Sequence, residues 1–166
     1  MPAEEIFDVV DAQDRPVGRA ARREVHARGL RHRAIHVLIF NRRGEIFLQR
    51  RSALKDMSPL TWDSSCSGHV DAGEDYDQAC VRELGEELGL HLDAPPPRWL
   101  RVAAGPETGN EFVWVYRLQH EGPFTLDPAE IDRGEWIAPA ELDRRIAGRP
   151  ADYAPAFRLI WRRRKE

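Results

Sequence analysis

Apolar residues change their spacing several times along this chain, and each change marks an element. Residues 6–10 (IFDVV) read as a short strand, and 11–18 are turn-rich, punctuated by Pro16 and Gly18. Residues 19–27 have helical character and should stop near Gly29. Residues 34–40 are strongly apolar and predict a strand, and Asn41-Arg42-Arg43-Gly44 predicts a hairpin turn into a returning strand over 45–50. A loop holding Pro59 leads through Trp62 to another short strand before Gly68. Pro95-Pro96-Pro97 interrupts any regular element, and 100–104 and 111–118 alternate as two further strands. A short strand at 135–137, a helix over 139–146 opened by Pro139, and a closing helix over 154–164 complete the pattern. Strands gathered around a few helices predict an α/β fold with a mixed sheet between helices.

Residues 68–90 carry most of the chemistry. They form a glycine-bounded loop leading into a helix with Arg82, Glu83, Glu86 and Glu87. Residues three and four apart share a helix face, so the three carboxylates project into one patch. Cys80, Val81, Leu84 and Leu88 make an adjoining apolar arc that can bury against a core. Crowded carboxylates repel one another unless a cation sits between them, and oxygen ligands suit Mg²⁺ first and Mn²⁺ second. The competing reading is a solvated acidic face. It is the weaker one, because no Lys follows at a spacing that would relieve the repulsion.

Composition narrows the setting. At 166 residues the chain fits one domain, 1–166, with a strand-helix extension over about residues 1–30. Charged residues are 32% of the chain and the net charge is −3, so no global basic field points to nucleic acid. The basic run at Arg162, Arg163, Arg164 and Lys165 reads as solvated. Cys66 and Cys80 lack zinc-type spacing, and Cys80 belongs to the apolar arc as a reduced core residue. The start of the chain has no basic-then-apolar leader, and no apolar run reaches membrane-spanning length. A cytoplasmic protein without membrane partners is expected, as monomer or homodimer.

Gly68, five residues, Glu74, seven residues, then Arg82-Glu83-Leu84-Gly85-Glu86-Glu87-Leu88-Gly89-Leu90 resembles the Nudix box with every signature position filled. The resemblance implies the Nudix fold, an α/β/α sandwich with a mixed central sheet. It also implies hydrolysis of a nucleoside diphosphate linked to another group, by attack of water on phosphorus. Such chemistry needs charge neutralisation and in-line positioning more than covalent participation. Carried over residue by residue, Glu86 and Glu87 are the main Mg²⁺ ligands, and Glu83 is a ligand or the general base. A backbone carbonyl at Ser67 or Gly68 completes the inner shell. Arg82 and Glu74 form a structural pair pinning the loop to the helix, with Gly68 and Gly89 as the structural glycines.

The likeness extends over roughly residues 5–160 to the branch that includes type I isopentenyl diphosphate isomerase. It is carried by His32-Arg33-Ala34, Arg50-Arg51, Lys55, Trp62, Gly68-His69, Asn110-Glu111, Glu130 and Trp136. In that branch the residues matching Arg51 and Lys55 hold a diphosphate, a task suited to a bidentate guanidinium and a point charge. Those matching His32, His69 and Glu111 contribute to a second metal site, which there uses a further His and a further Glu. His26 lies one position out of register for the further His, and Gly109 stands where the further Glu would be. The isomerase needs a Cys directly before the Gly-His pair, where this chain has Ser67, with Cys66 one residue early and so facing the other way in an extended segment. A serine hydroxyl is too weak an acid for that step. Ala156 occupies the place of the isomerase's active-site Trp.

Other residues draw more ordinary readings. His36, inside an apolar strand, reads as a hydrogen-bonded core or cleft residue, and His91 and His120 as surface. Phe112, Trp114 and Tyr116 alternate on one strand face and read as packing before base stacking. Arg51 reads as exposed beside a loop. The expected activity is a Mg²⁺-dependent pyrophosphohydrolase taking nucleoside 5′-di- or triphosphates, or nucleoside diphosphate derivatives, to a nucleoside monophosphate. An isomerase or a non-catalytic nucleotide-binding module are the alternatives.

Overall fold

The long apolar run at 34–40 becomes the spine of the molecule. In the computed structural model, which describes residues 4–165, it lies within β3 (His32–Phe40). Before it come β1 (Ile6–Val10), β2 (Pro16–Ala21) and α1 (Arg22–Arg28). After it come β4 (Ile46–Arg51), β5 (Trp62–Asp63), β6 (Cys66–His69) and α2 (Tyr76–Leu88). Then follow β7 (Arg98–Val102), β8 (Glu111–Gln119), β9 (Ile131–Ile137), α3 (Pro139–Gly148) and α4 (Pro155–Arg163).

β1 and β2 pair as a hairpin, and the main sheet runs β5-β4-β3-β8-β7, with β6 on β3 and β9 on β4. β3 and β8 are parallel along their whole length, while the other pairs are antiparallel, so the sheet is mixed. Alternation along β3 splits its side chains between two cores. Ile35, Val37 and Ile39 pack with Ala79, Cys80 and Leu84 of α2. Ala34 and Leu38 pack with Leu142 of α3 and Phe157 and Ile160 of α4. Helices therefore cover both faces, giving the α/β/α Nudix sandwich.

The feature that makes room for a site is a fork. β3 and β4 pair only at Ile39↔Phe47 and Phe40↔Ile46. Beyond that point β3 pairs with β6 and β4 with β5, and the two branches separate. Ser65 sits in the crotch, where its hydroxyl accepts from Ile39 N at 2.8 Å and donates to the Phe47 carbonyl. A hydroxyl can serve both strands at once, which a larger or apolar side chain could not do.

The N-terminal segment departs from expectation. Residues 16–21 form a strand, and the helix begins at Arg22 rather than residue 19. β2 is mostly exposed and lacks apolar alternation, so its strand state comes from backbone pairing with β1. β7 lies two residues earlier than expected, β9 starts at Ile131 instead of 135, and α3 continues to Gly148. Tyr116 is buried against the α2 core, and Arg98 and Arg101 cover the Trp114 and Phe112 rings, so the aromatic stripe is packing.

Candidate active site

Reciprocal bonds between Asp75 and Gln78, 2.8 and 2.9 Å, fix the start of α2 and so set the rotation of its acids. Glu87 is buried, Glu83 nearly so, and the side chain of Glu86 is 59% exposed. Arg82 grips Glu74 through two parallel bonds, 2.8 and 2.9 Å, and donates to the His69 carbonyl at 3.0 Å. This ties the loop to the helix as the box resemblance implies. The same guanidinium also reaches Glu83 at 2.8 Å and Glu86 at 3.2 Å. Relief of the carboxylate repulsion therefore comes partly from Arg82, which the sequence reading assigned to Glu74, where no Lys followed at a relieving spacing.

Glu87 Oε1 accepts from Gln49 Nε2 at 3.0 Å and from Ser67 N at 3.2 Å. Burial pushes both the Glu83 and Glu87 carboxyls up, and the Glu87 charge pushes Glu83 further; the Gln49 and Ser67 bonds only partly offset this for Glu87. Buried oxygens that resist ionisation alone, beside one another, are a donor set that fits a hard divalent cation. Gly68 lies against Glu83 on the same wall of the cavity.

A second cluster lies where β3, β6 and β8 align. Glu111 is paired with His32 across β8 and β3, and His69 with Ala34 across β6 and β3. Glu111 Oε2 lies 2.9 Å from His69 Nε2 and 3.2 Å from His32 Nε2. His26 of α1 joins them, with its Nε2 at 3.4 Å from that of His69. Nitrogen ligand atoms of His26, His32 and His69 fall within 4.8 Å of one another. His32 Nδ1 donates to the Leu30 carbonyl at 2.8 Å, which aims the buried Nε2 into the cluster, where Glu111 Oε2 is a close polar neighbour. Burial raises the Glu111 carboxyl, but His32 and His69 outweigh that and hold it ionised. Three imidazoles whose nitrogens converge, with a carboxylate against two of them, fit a divalent transition metal. Phe7, fully buried, stacks on His69 with ring centres 4.6 Å apart and walls the cluster off.

Arg51 and Lys55 line the same cavity, of about 290 Å³, as both clusters. Arg51 is not exposed: it donates to buried Asp63 at 3.1 Å and to the Met57 carbonyl at 2.9 Å. Lys55 pairs with Glu130. His36 meets Ser64 Oγ at 2.7 Å, and burial lowers its pKa, so it is a neutral cleft residue as expected. His91 is exposed, whereas His120 is half-buried and accepts from Gly122 N. Ser67 and Ala156 both line the cavity, while Cys66 is packed under α2 and its thiol faces Glu87.

Sequence reasoning placed His32, His69 and Glu111 together but left His26 out of register. α1 carries it into the cluster all the same. Gln49, Asp63 and Phe7 were missed. Gln49 carried a readable signal, a lone amide at an inward position of a strand.

The NUDIX domain family pattern matches residues 30–159. Nudix hydrolase SCO1686 of Streptomyces coelicolor is 37% identical over 146 residues, covering 87% of this chain and 80% of its own. An isopentenyl-diphosphate Delta-isomerase of Nocardia farcinica is 35% identical over 160 residues, covering 89% and 87%. The crystal structure of DR0079 from Deinococcus radiodurans superposes with a TM-score of 0.73 at 32% identity, covering 87% of this chain and 90% of that one. The fold and the box define a Nudix domain. This chain belongs to the Nudix family, in the part of it where hydrolases and isopentenyl-diphosphate isomerases are close relatives.

Proposed function

We propose that the protein is a Mg²⁺-dependent pyrophosphohydrolase, with Mn²⁺ as substitute, that cleaves nucleoside 5′-di- or triphosphates or nucleoside diphosphate derivatives to a nucleoside monophosphate. The observation that carries the reading is the pairing of buried Glu83 and Glu87 on a cavity wall with Arg51 and Lys55 in the same cavity. Glu83, Glu86, Glu87 and the Gly68 carbonyl would hold Mg²⁺, which when bound neutralises phosphate charge and acidifies water. Gln49 and Ser67 N keep one oxygen of Glu87 occupied, leaving the other for the cation. Asp63 orients the Arg51 guanidinium so that its remaining N–H groups face a phosphate, and Lys55 exchanges Glu130 for a second phosphate oxygen. A carboxylate not spent on the cation, Glu83 among them, takes the proton of the attacking water.

His26, His32, His69 and Glu111 form a second, nitrogen-rich centre of the same cavity in this reading. The kinship with isopentenyl-diphosphate isomerases favours that second centre, but not the isomerase reaction. A thiol at position 67 and an aromatic at 156 are what that reaction needs, and Ser67 and Ala156 stand there.

A panel of nucleoside di- and triphosphates and their conjugates, with and without Mg²⁺, with phosphate and pyrophosphate detected, tests the reading. Turnover that depends on Mg²⁺ and yields a nucleoside monophosphate is expected. Full turnover in metal-free buffer, or none on any phosphoanhydride, would overturn it.

A further inference from the structure

The loop between β4 and β5, residues 52–60, holds Lys55, assigned to phosphate in the function proposed above, but is poorly anchored by packing. Its apolar residues Leu54, Met57 and Leu60 are 80%, 48% and 44% exposed. A segment with so little buried apolar surface keeps its position through polar ties, and these can be counted on for less than a core. Its base is stitched by Arg51 N to the Thr61 carbonyl and by Arg51 Nε to the Met57 carbonyl, 2.8 and 2.9 Å. Its tip is held to α1 by Asp56, whose carboxylate accepts from Arg22 at 2.8 and 3.3 Å.

The other neighbour of Asp56 is the histidine cluster. His26 Nδ1 is buried, has no hydrogen-bond partner, and lies 3.5 Å from Asp56 Oδ2. The opposite nitrogen, Nε2, is the one that points at His69. If Nε2 binds a cation, the ring proton must reside on Nδ1, and the carboxylate in front of it is Asp56. A carboxylate on the far nitrogen fixes a ligand's tautomer and strengthens it as a donor. The contact that is too long here would then close, and it would close on the loop that carries Lys55.

We propose that Asp56 is a positioning residue coupling the histidine centre to the phosphate-binding loop, so that a divalent cation on the histidines tightens diphosphate binding. This rests on the metal reading of His26, His32, His69 and Glu111 given above. By linkage the coupling is reciprocal: diphosphate must tighten the cation equally.

The test uses Co²⁺, which absorbs in the visible when imidazoles bind it, with excess Mg²⁺ present for the carboxylates. Methylenediphosphonate, which is not hydrolysed, reports the phosphate site by calorimetry. In the wild-type protein, Co²⁺ should tighten methylenediphosphonate binding by at least about fivefold, within the usual range of such couplings. Asp56→Ala should weaken Co²⁺ by about 10–100-fold, as loss of a ligand's hydrogen-bond partner does, and abolish the tightening even at saturating Co²⁺. Asp56→Asn, which keeps an acceptor oxygen, should restore part of the coupling; unchanged melting of both variants would exclude misfolding. Coupling that survives in Asp56→Ala, or is absent in wild type despite a Co²⁺ spectrum, overturns the proposal. A flat spectrum in wild type overturns the metal reading itself, and the two failures are told apart by that spectrum.

Discussion

Gly68 and Glu83 are in such close contact that a β-carbon on Gly68 would overlap the Glu83 carboxylate. The glycine's role is clearance, since its backbone is not in the left-handed region. β6 and α2 can approach this closely only where one of them lacks a side chain.

Gly68→Ala should therefore act on the site before the fold. The methyl group pushes Glu83 off its position between Arg82 and Glu87, and activity should fall by at least about a hundredfold, the scale for a misplaced catalytic group. Stability should fall by about 1–3 kcal/mol, the usual range for overpacking. Steady-state kinetics with Mg²⁺ titration, run beside a melting curve, check both. An active enzyme with normal Mg²⁺ dependence would show that Glu83 can move without consequence.

Glu87→Gln should separate function from stability. Removing a charged ligand should cost about a thousandfold or more in kcat, roughly 4 kcal/mol. Burial raises the folded-state pKa of Glu87 above its unfolded value, so its favourable contribution is complete below the unfolded pKa and is lost as pH rises through the folded one. The metal-free wild type thus carries a penalty at neutral and alkaline pH that Gln does not carry. At about pH 8 the metal-free variant should be more stable by roughly 1–2 kcal/mol, and this gap should shrink towards about pH 5 or on adding Mg²⁺ to the wild type. Chemical denaturation across pH, with chelator and with Mg²⁺, measures it. The Gln carbonyl can still accept from Gln49 and Ser67 N, so a destabilised variant would mean that the carboxylate's charge, and not its geometry, holds the fork.

What the sequence disclosed depended on whether the information was local. The box helix and its acids lie within one short segment, and the box spacing set their placement. The β3 run and the β4 hairpin were legible for the same reason. β2 was not, because Pro16 to Ala21 becomes a strand only by pairing with β1, and the residues themselves show no alternation. The histidine centre draws on α1, β3, β6 and β8, so whether His26 joins it depends on how α1 packs, which its one-position offset in the sequence could not show. Arg51 was misjudged as exposed since its partner Asp63 lies across a strand pair, in a two-residue strand too short to read.

Arg51 and Lys55 should part company when each is replaced by Ala. Arg51→Ala removes a charge-assisted contact worth about 1.5–3 kcal/mol in kcat/KM, and it also strands buried Asp63, at a further stability cost of about 1–3 kcal/mol. Lys55 is as covered as Arg51 but pairs with half-exposed Glu130 and leaves no buried acid behind, so Lys55→Ala should cost less stability than Arg51→Ala, about 1 kcal/mol, while lowering kcat/KM about tenfold or more. Paired kinetics and melting temperatures decide between these outcomes. Unchanged kinetics in Lys55→Ala would remove that residue from the phosphate site.

The last expectation concerns the isomerases among the relatives. Moving a double bond along a five-carbon diphosphate needs a proton donor strong enough to protonate carbon and a wall that tolerates the resulting cation. The residue lining the cavity before Gly68 is Ser67, whose hydroxyl is far too weak an acid. The nearby thiol cannot substitute: Cys66 is fully buried beneath α2, and burial, with the Glu87 and Glu83 charges, pushes its pKa well up. Ala156, which also lines the cavity, offers no aromatic face that would stabilise a cation. Meanwhile the box carboxylates are complete, which suits attack by water. We expect no exchange of solvent deuterium into isopentenyl or dimethylallyl diphosphate, followed by NMR with Mg²⁺ and a transition metal both supplied. Ser67→Cys alone should not create that exchange, because the cation would still lack its aromatic neighbour. Interconversion by the wild-type protein at enzymatic rates would show that the reaction class was chosen wrongly. Exchange that appears only in Ser67→Cys would instead show that the missing thiol was the sole barrier.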